Sequence, residues 1–113
     1  MLKNVDEETH YQLLKHLEDN PNISQRQLAN KMGISLGKVN YCLKALIDVG
    51  QIKLNNFAGS KNKLGYVYLL TPKGIKEKTQ VTKRFLKIKQ QQYDMIKKDI
   101  DTLQKELSNA ASN

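Results

Sequence analysis

The sequence predicts a mostly α-helical fold with one small β-hairpin, an α+β chain that ends in a long helix. Three observations predict it. Two short helical patterns meet at a glycine between Ile23 and Gly50. The apolar period then drops from about 3.6 to about 2 between Gln51 and Leu70. From Ile75 to Leu107 there is no glycine or proline at all.

The first helix is expected from Asp6 to Asp19. Asp6 suits the N-cap, Glu7 and Glu8 suit the positive end of the helix dipole, and Leu13, Leu14 and Leu17 supply an apolar face. Asn20-Pro21-Asn22 ends it as a turn. His10 and His16 do not share a helix face well at a spacing of six, so they read as surface or core-edge residues rather than metal ligands.

The next stretch, ISQRQLANKMGISLGKVNYCLKALIDVG, reads as two helices and a tight turn. Ser24 caps the first, with Gln27 three residues later where a capping box requires it. Leu28, Ala29 and Met32 form its apolar face, and Gly33 ends it in the left-handed conformation that a residue without Cβ adopts freely. Ser35 caps the second helix. There Leu36, Val39, Leu43, Leu46 and Ile47 recur at three- and four-residue spacing and predict one buried stripe. Gly37, Lys38, Tyr41, Lys44 and Asp48 point the other way, with Asn40 at the edge. A short helix with basic and hydrogen-bonding groups near its N-terminus, braced by a second helix, is the arrangement a helix-turn-helix places in the DNA major groove.

Gln51 to Phe57 alternates, with Ile52 and Leu54 on one side, and Tyr66 to Leu70 reads as its partner strand. Between them AGSKNKLG, Ala58 to Gly65, forms a polar, basic hairpin tip. Directly after a helix-turn-helix this is the wing, expected to lie along the DNA backbone or minor groove.

Thr71 and Pro72 then restart a helix as cap and first residue. It is expected to run roughly 35 residues, or about 50 Å. Tyr93, Ile96, Ile100, Leu103 and Leu107 form a heptad seam, with Leu86 and Ile75 in register and Thr79, Thr82 and Lys89 breaking it. A helix this long with one apolar stripe needs a partner, and the same helix of a second chain fits best. The expected organisation is therefore a DNA-binding domain over residues 1–74, a coiled-coil dimerisation helix over 75–107, and a disordered tail over 108–113. Leu86, Tyr93, Ile96, Ile100, Leu103 and Leu107 are the dimerisation residues.

The chain has 113 residues and 19 Lys and Arg against 11 Asp and Glu, a formal net charge of +8, which favours a polyanionic partner. The charge is uneven. Residues 1–34 hold 4 basic and 5 acidic groups, residues 35–74 hold 6 and 1, and residues 75–113 hold 9 and 5. The basic excess thus begins with the recognition helix. No apolar run approaches the roughly 20 residues that span a bilayer, and no signal-peptide core opens the chain, so a cytoplasmic protein without a membrane partner is expected. The single Cys42 allows no disulfide framework or cysteine zinc site, and reads as a small, half-buried residue rather than a redox sensor. No metal and no cofactor are expected.

On this reading Lys38, Lys44, Lys61 and Lys63 neutralise phosphates, while Lys38, Asn40 and Tyr41 read base edges. Asn62 reaches a groove edge from the wing tip. Gln25 and Arg26 contact backbone from the start of the first motif helix, and Ser35 stands at the N-terminus of the second.

The order helix, helix-turn-helix, two strands with a basic tip, LTPKG and a long helix resembles the MarR-type winged-helix transcriptional regulators. More narrowly, ISQRQLANKMGISLGKVNYCLKALIDVG, SKNKLGYVYLLTPKGI and TKRFLKIKQQQYD are similar to a small bacterial group associated with exopolysaccharide gene clusters. The resemblance covers roughly Asp6 to Leu107. It implies a dimeric bacterial transcription factor acting on polysaccharide genes. A dimer presents two recognition helices about 34 Å apart to double-stranded DNA, so an inverted-repeat operator is expected. Larger MarR proteins dimerise through N- and C-terminal helices together and often bind small phenolic effectors nearby. Here the stretch before Asp6 is too short for such a helix, so neither an N-terminal dimerisation helix nor an effector pocket is expected; the sequence leaves any effector unknown.

A winged-helix module that pairs through its coiled coil without binding DNA specifically is the alternative. An enzyme fits less well. No paired acids, Ser-His or Cys-His set, phosphate-binding loop or metal-ligand cluster stands at a spacing that chemistry needs.

Overall fold

A computed structural model describes residues 2, 4–56 and 66–112. Its elements are α1 (Glu7–Asp19), α2 (Gln25–Met32), α3 (Leu36–Asp48), β1 (Ile52–Asn56), β2 (Tyr66–Leu70) and α4 (Pro72–Ser112). This is a winged helix-turn-helix with a long C-terminal helix.

Local chemistry sets the boundaries. The Asp6 carboxylate accepts from the Thr9 amide at 2.7 Å and starts α1. In α2 the capping box closes both ways: Gln27 N–H donates to Ser24 Oγ at 3.1 Å, and Ser24 N–H donates to Gln27 Oε1 at 2.9 Å. Gly33 turns the chain at φ 66°, and Ser35 Oγ then accepts from the Lys38 amide at 3.1 Å to begin α3. Thr71 Oγ1 accepts from the Gly74 amide at 3.1 Å and caps α4.

The strands pair antiparallel, with Ile52 opposite Leu70 and Leu54 opposite Tyr68. One core lies beneath them. Leu13, Leu14 and Leu17 of α1, Leu28 of α2, Val39, Cys42, Leu43 and Leu46 of α3, Ile52 of β1 and Val81 of α4 are all fully buried. Each aliphatic side chain among them contributes about 1.5–3 kcal/mol by leaving water.

Several expectations are corrected. Leu36 and Ile47 lie outside the buried stripe, because both sit about a quarter turn round from its centre, which runs along Val39, Cys42, Leu43 and Leu46. Cys42 is fully rather than half buried, and burial pushes its thiol pKa up. His10 is buried too, since its Nε2 lies 2.6 Å from Gln51 Oε1 and so keeps a polar partner inside the core. Leu54 is exposed although it shares a strand face with buried Ile52, because it lies farther out along the hairpin. The tail expected to be disordered from residue 108 continues α4 to Ser112; its residues include two alanines and nothing that breaks a helix.

The long helix divides into two parts. Its first half belongs to the winged-helix body. Arg84 Nε donates to both Glu7 oxygens at 3.0 and 3.1 Å, Lys78 pairs with Glu18 at 2.6 Å, and Phe85 stacks on Tyr11 with ring centroids 5.1 Å apart. From Gln90 to Ala111 every residue is exposed. The molecule is accordingly 73 × 25 × 22 Å, with a radius of gyration of 19.8 Å against about 13 Å for a compact chain of this length.

Candidate nucleic-acid interface

The surface of α3 is the candidate site. Ser35, Gly37, Lys38, Tyr41, Lys44 and Asp48 are exposed, and the opposite side is sealed by Val39, Cys42, Leu43 and Leu46. Burial of that stripe leaves the helix one orientation, with the side chains opposite it facing outward.

The predicted residues are held to different degrees. Lys44 and Arg26 are exposed and have no hydrogen bond or ion pair among the described residues. Lys38 stands beside the start of α1, where its charge helps, after the Thr9 hydrogen bonds, to hold the Asp6 carboxyl below its ordinary pKa. Tyr41 Oη lies 3.4 Å from Asn4 Nδ2, so the segment before α1 reaches the recognition helix. Asn4 occupies the left-handed region at φ 64°, a conformation asparagine tolerates better than most residues.

Asn40 and Gln25 are half-buried and joined. Asn40 Nδ2 donates to Gln25 Oε1 at 3.3 Å, and Gln25 Nε2 donates to Tyr68 Oη at 2.9 Å. A single polar chain thus ties α3, the first residue of α2 and strand β2. Gln25 stands where a backbone contact was expected, but both ends of its amide have partners within the protein. Tyr68 was missed. Strand alternation reports which face a tyrosine occupies, and nothing in a single sequence reports a partner 43 residues away. Lys61, Asn62 and Lys63 lie outside the described residues.

The seat of α3 is fixed at its C-terminal end as well. Gly50 takes φ 76°, Thr71 Oγ1 donates to the Gly50 carbonyl at 2.5 Å, and Lys73 Nζ donates to the Val49 carbonyl at 2.7 Å. The Gln51 side chain holds His10 while its carbonyl accepts from Thr71 N–H at 3.0 Å. Recognition helix, wing strand, α1 and α4 therefore converge on residues 49–51.

The seam residues Leu86, Tyr93, Ile96, Ile100, Leu103 and Leu107 are 50–73% exposed, an apolar stripe without a covering element among the described residues. Among the described residues no group of three His, Cys, Asp or Glu side chains could hold a metal ion, and no helix is long and apolar enough to cross a membrane.

Residues 6–53 match the family described as winged helix-turn-helix DNA-binding. No curated protein matches the chain. Its fold is shared with the PcaV transcriptional regulator of Streptomyces coelicolor, solved in complex with its natural ligand, at a TM-score of 0.63 and 17% identity over 80% of this chain and 62% of that one. A MarR/EmrR family transcriptional regulator from Acinetobacter sp. ADP1 gives a TM-score of 0.59 at 21% identity, over 92% of this chain and 75% of that one. Staphylococcus aureus MarR, in complex with salicylate and kanamycin, gives 0.54 at 22% identity over 72% and 53%. The chain spans less than two thirds of the length of the first and third of these. The matched family is described as DNA-binding, and the first two of these neighbours are described as transcriptional regulators.

Proposed function

We propose that this winged helix-turn-helix chain is a sequence-specific, double-stranded-DNA-binding transcriptional regulator of the MarR type, acting in the cytoplasm as a homodimer. The carrying observation is the two-sided α3. One side is locked into the core, and the other presents Ser35, Lys38, Tyr41 and Lys44 to solvent beside a half-buried Asn40.

The roles follow from donor chemistry. Lys38 donates to guanine O6 or N7, Asn40 offers adenine a donor and an acceptor, and Tyr41 meets a phosphate or a thymine methyl. Lys44, Arg26 and the wing lysines Lys61 and Lys63 neutralise phosphates, and Asn62 meets a groove edge. The exposed stripe from Leu86 to Leu107 pairs with the same stripe of a second chain. Two recognition helices then meet an inverted repeat with half-site centres about one helical turn apart. The resemblance to the exopolysaccharide-associated group makes polysaccharide genes the first targets to examine.

Titrating the full chain against a genomic-fragment duplex and a random duplex across a salt series tests this reading. Binding to both should weaken steeply with salt, as release of counterions requires. Salt-independent binding, or none, would leave the protein-interaction module as the better reading.

A further inference from the structure

The hydrogen-bonded chain Tyr68–Gln25–Asn40 has a consequence for base readout. Gln25 is the first residue of α2, and its side-chain amide bridges Tyr68 Oη at 2.9 Å and Asn40 Nδ2 at 3.3 Å. All three side chains are half-buried. An asparagine amide has two donor hydrogens and one acceptor oxygen. One hydrogen of Asn40 is directed at Gln25. Among the described residues the second hydrogen and Oδ1 have no other partner, and these are the donor and acceptor that adenine N7 and N6 require.

We infer that Tyr68 and Gln25 are specificity-determining positioning residues: without touching DNA, they orient the Asn40 amide so that it offers this donor–acceptor pair to the groove. The inference rests on the proposed function, in which Asn40 reads a base. The physical argument is one of orientation. A free asparagine amide turns about χ2 in a broad, nearly two-fold well, so its oxygen and nitrogen exchange places readily. A partner that only accepts at Oε1 removes one of the two settings. Gln25 could turn in the same way; in the structure its Nε2 donates to Tyr68 Oη, a hydroxyl able to donate or accept, and this setting leaves Oε1 facing Asn40. The chain also joins β2 to α3, so the wing strand and the reading helix share one anchor.

The test uses full-length protein and a set of duplexes that each differ from the selected site at one base pair, every position of the site being varied in turn. Asn40→Ala should reduce discrimination at one base pair by roughly 5- to 150-fold, the range of one bidentate base contact. Tyr68→Phe and Gln25→Leu should each lower discrimination at that same base pair at least about threefold. They should leave discrimination at the other positions and the salt slope unchanged. Gln25→Glu accepts at both ends and compels Asn40 to donate, so it should retain the preference that Gln25→Leu loses. A merely structural role would lower affinity at every position and would not be rescued by glutamate. If Asn40→Ala affects all duplexes equally, the base-reading role itself fails. If Asn40→Ala is position-specific while Tyr68→Phe and Gln25→Leu are not, base reading stands and the positioning inference is overturned.

Discussion

Gly74 lies so close to Gln51 that a Cβ on it would stand 1.9 Å from the Gln51 carbonyl oxygen and 2.9 Å from its carbonyl carbon. This glycine sits in the first turn of α4, where propensity alone favours alanine by about 1 kcal/mol. The structure reverses that preference, because the atom it would meet is backbone and cannot swing aside. Gly74→Ala is expected to destabilise by at least about 1–3 kcal/mol, the cost of overpacking a well-packed contact. Chemical denaturation measures it, and a stabilised variant would mean that α4 does not dock on Gln51 as described.

The start of α1 should be acid-sensitive. Hydrogen bonds from Thr9, first from its backbone amide, hold the Asp6 carboxyl below its ordinary pKa. A group with a lowered folded pKa stabilises the fold above its unfolded value of about 4 and loses that contribution as pH falls through the folded value. Asp6→Ala should cost about 0.5–2 kcal/mol at pH 7 and shrink the difference from the parent chain below pH 4. Asp6→Asn, which still caps, should remain closer to the parent at neutral pH. Equal stability of Asp6→Ala and parent at pH 7 would remove the cap from the account.

Shortening the chain after Lys89 should separate folding from pairing. The fully buried residues all lie at or before Val81, and the Arg84, Phe85 and Lys89 contacts also precede the cut. The shortened chain should melt within a few degrees of the parent and sediment as a monomer. The full chain should associate at roughly tens of micromolar, where subunit binding shifts with protein concentration. A full-length chain that stays monomeric there contradicts the dimer proposal.

The wing lysines should set affinity more than sequence preference. Lys61→Ala combined with Lys63→Ala should weaken binding to all duplexes alike. It should also flatten the salt slope by roughly one unit per lost phosphate contact. An unchanged slope would mean the hairpin tip does not meet the backbone.

Much of this molecule was legible because its signals are local. Asp6, Ser24, Gln27, Gly33 and Ser35 announce their caps within three or four residues, and the buried face of α3 follows from helical spacing. What was not legible depends on which distant surface arrives. The margins of α3 at Leu36 and Ile47 are exposed because the covering elements do not reach that far round. The burial of His10 depends on Gln51, 41 residues away, and the need for glycine at position 74 depends on the Gln51 carbonyl. In the candidate site the outward lysines and Tyr41 could be read from periodicity, whereas the link from Asn40 through Gln25 to Tyr68 required three elements to be placed in space. The second half of α4 kept its apolar seam in sequence and in structure, and among the described residues nothing covers it.

Selecting and sequencing the genomic fragments that full-length protein retains at moderate salt tests the central claim most directly. The account predicts enrichment of one short sequence arranged as an inverted repeat, with half-site centres about one helical turn, or about 10 base pairs, apart. Retention of fragments without any shared sequence would contradict sequence-specific reading by α3 and leave only the electrostatic attraction of a chain with net charge +8.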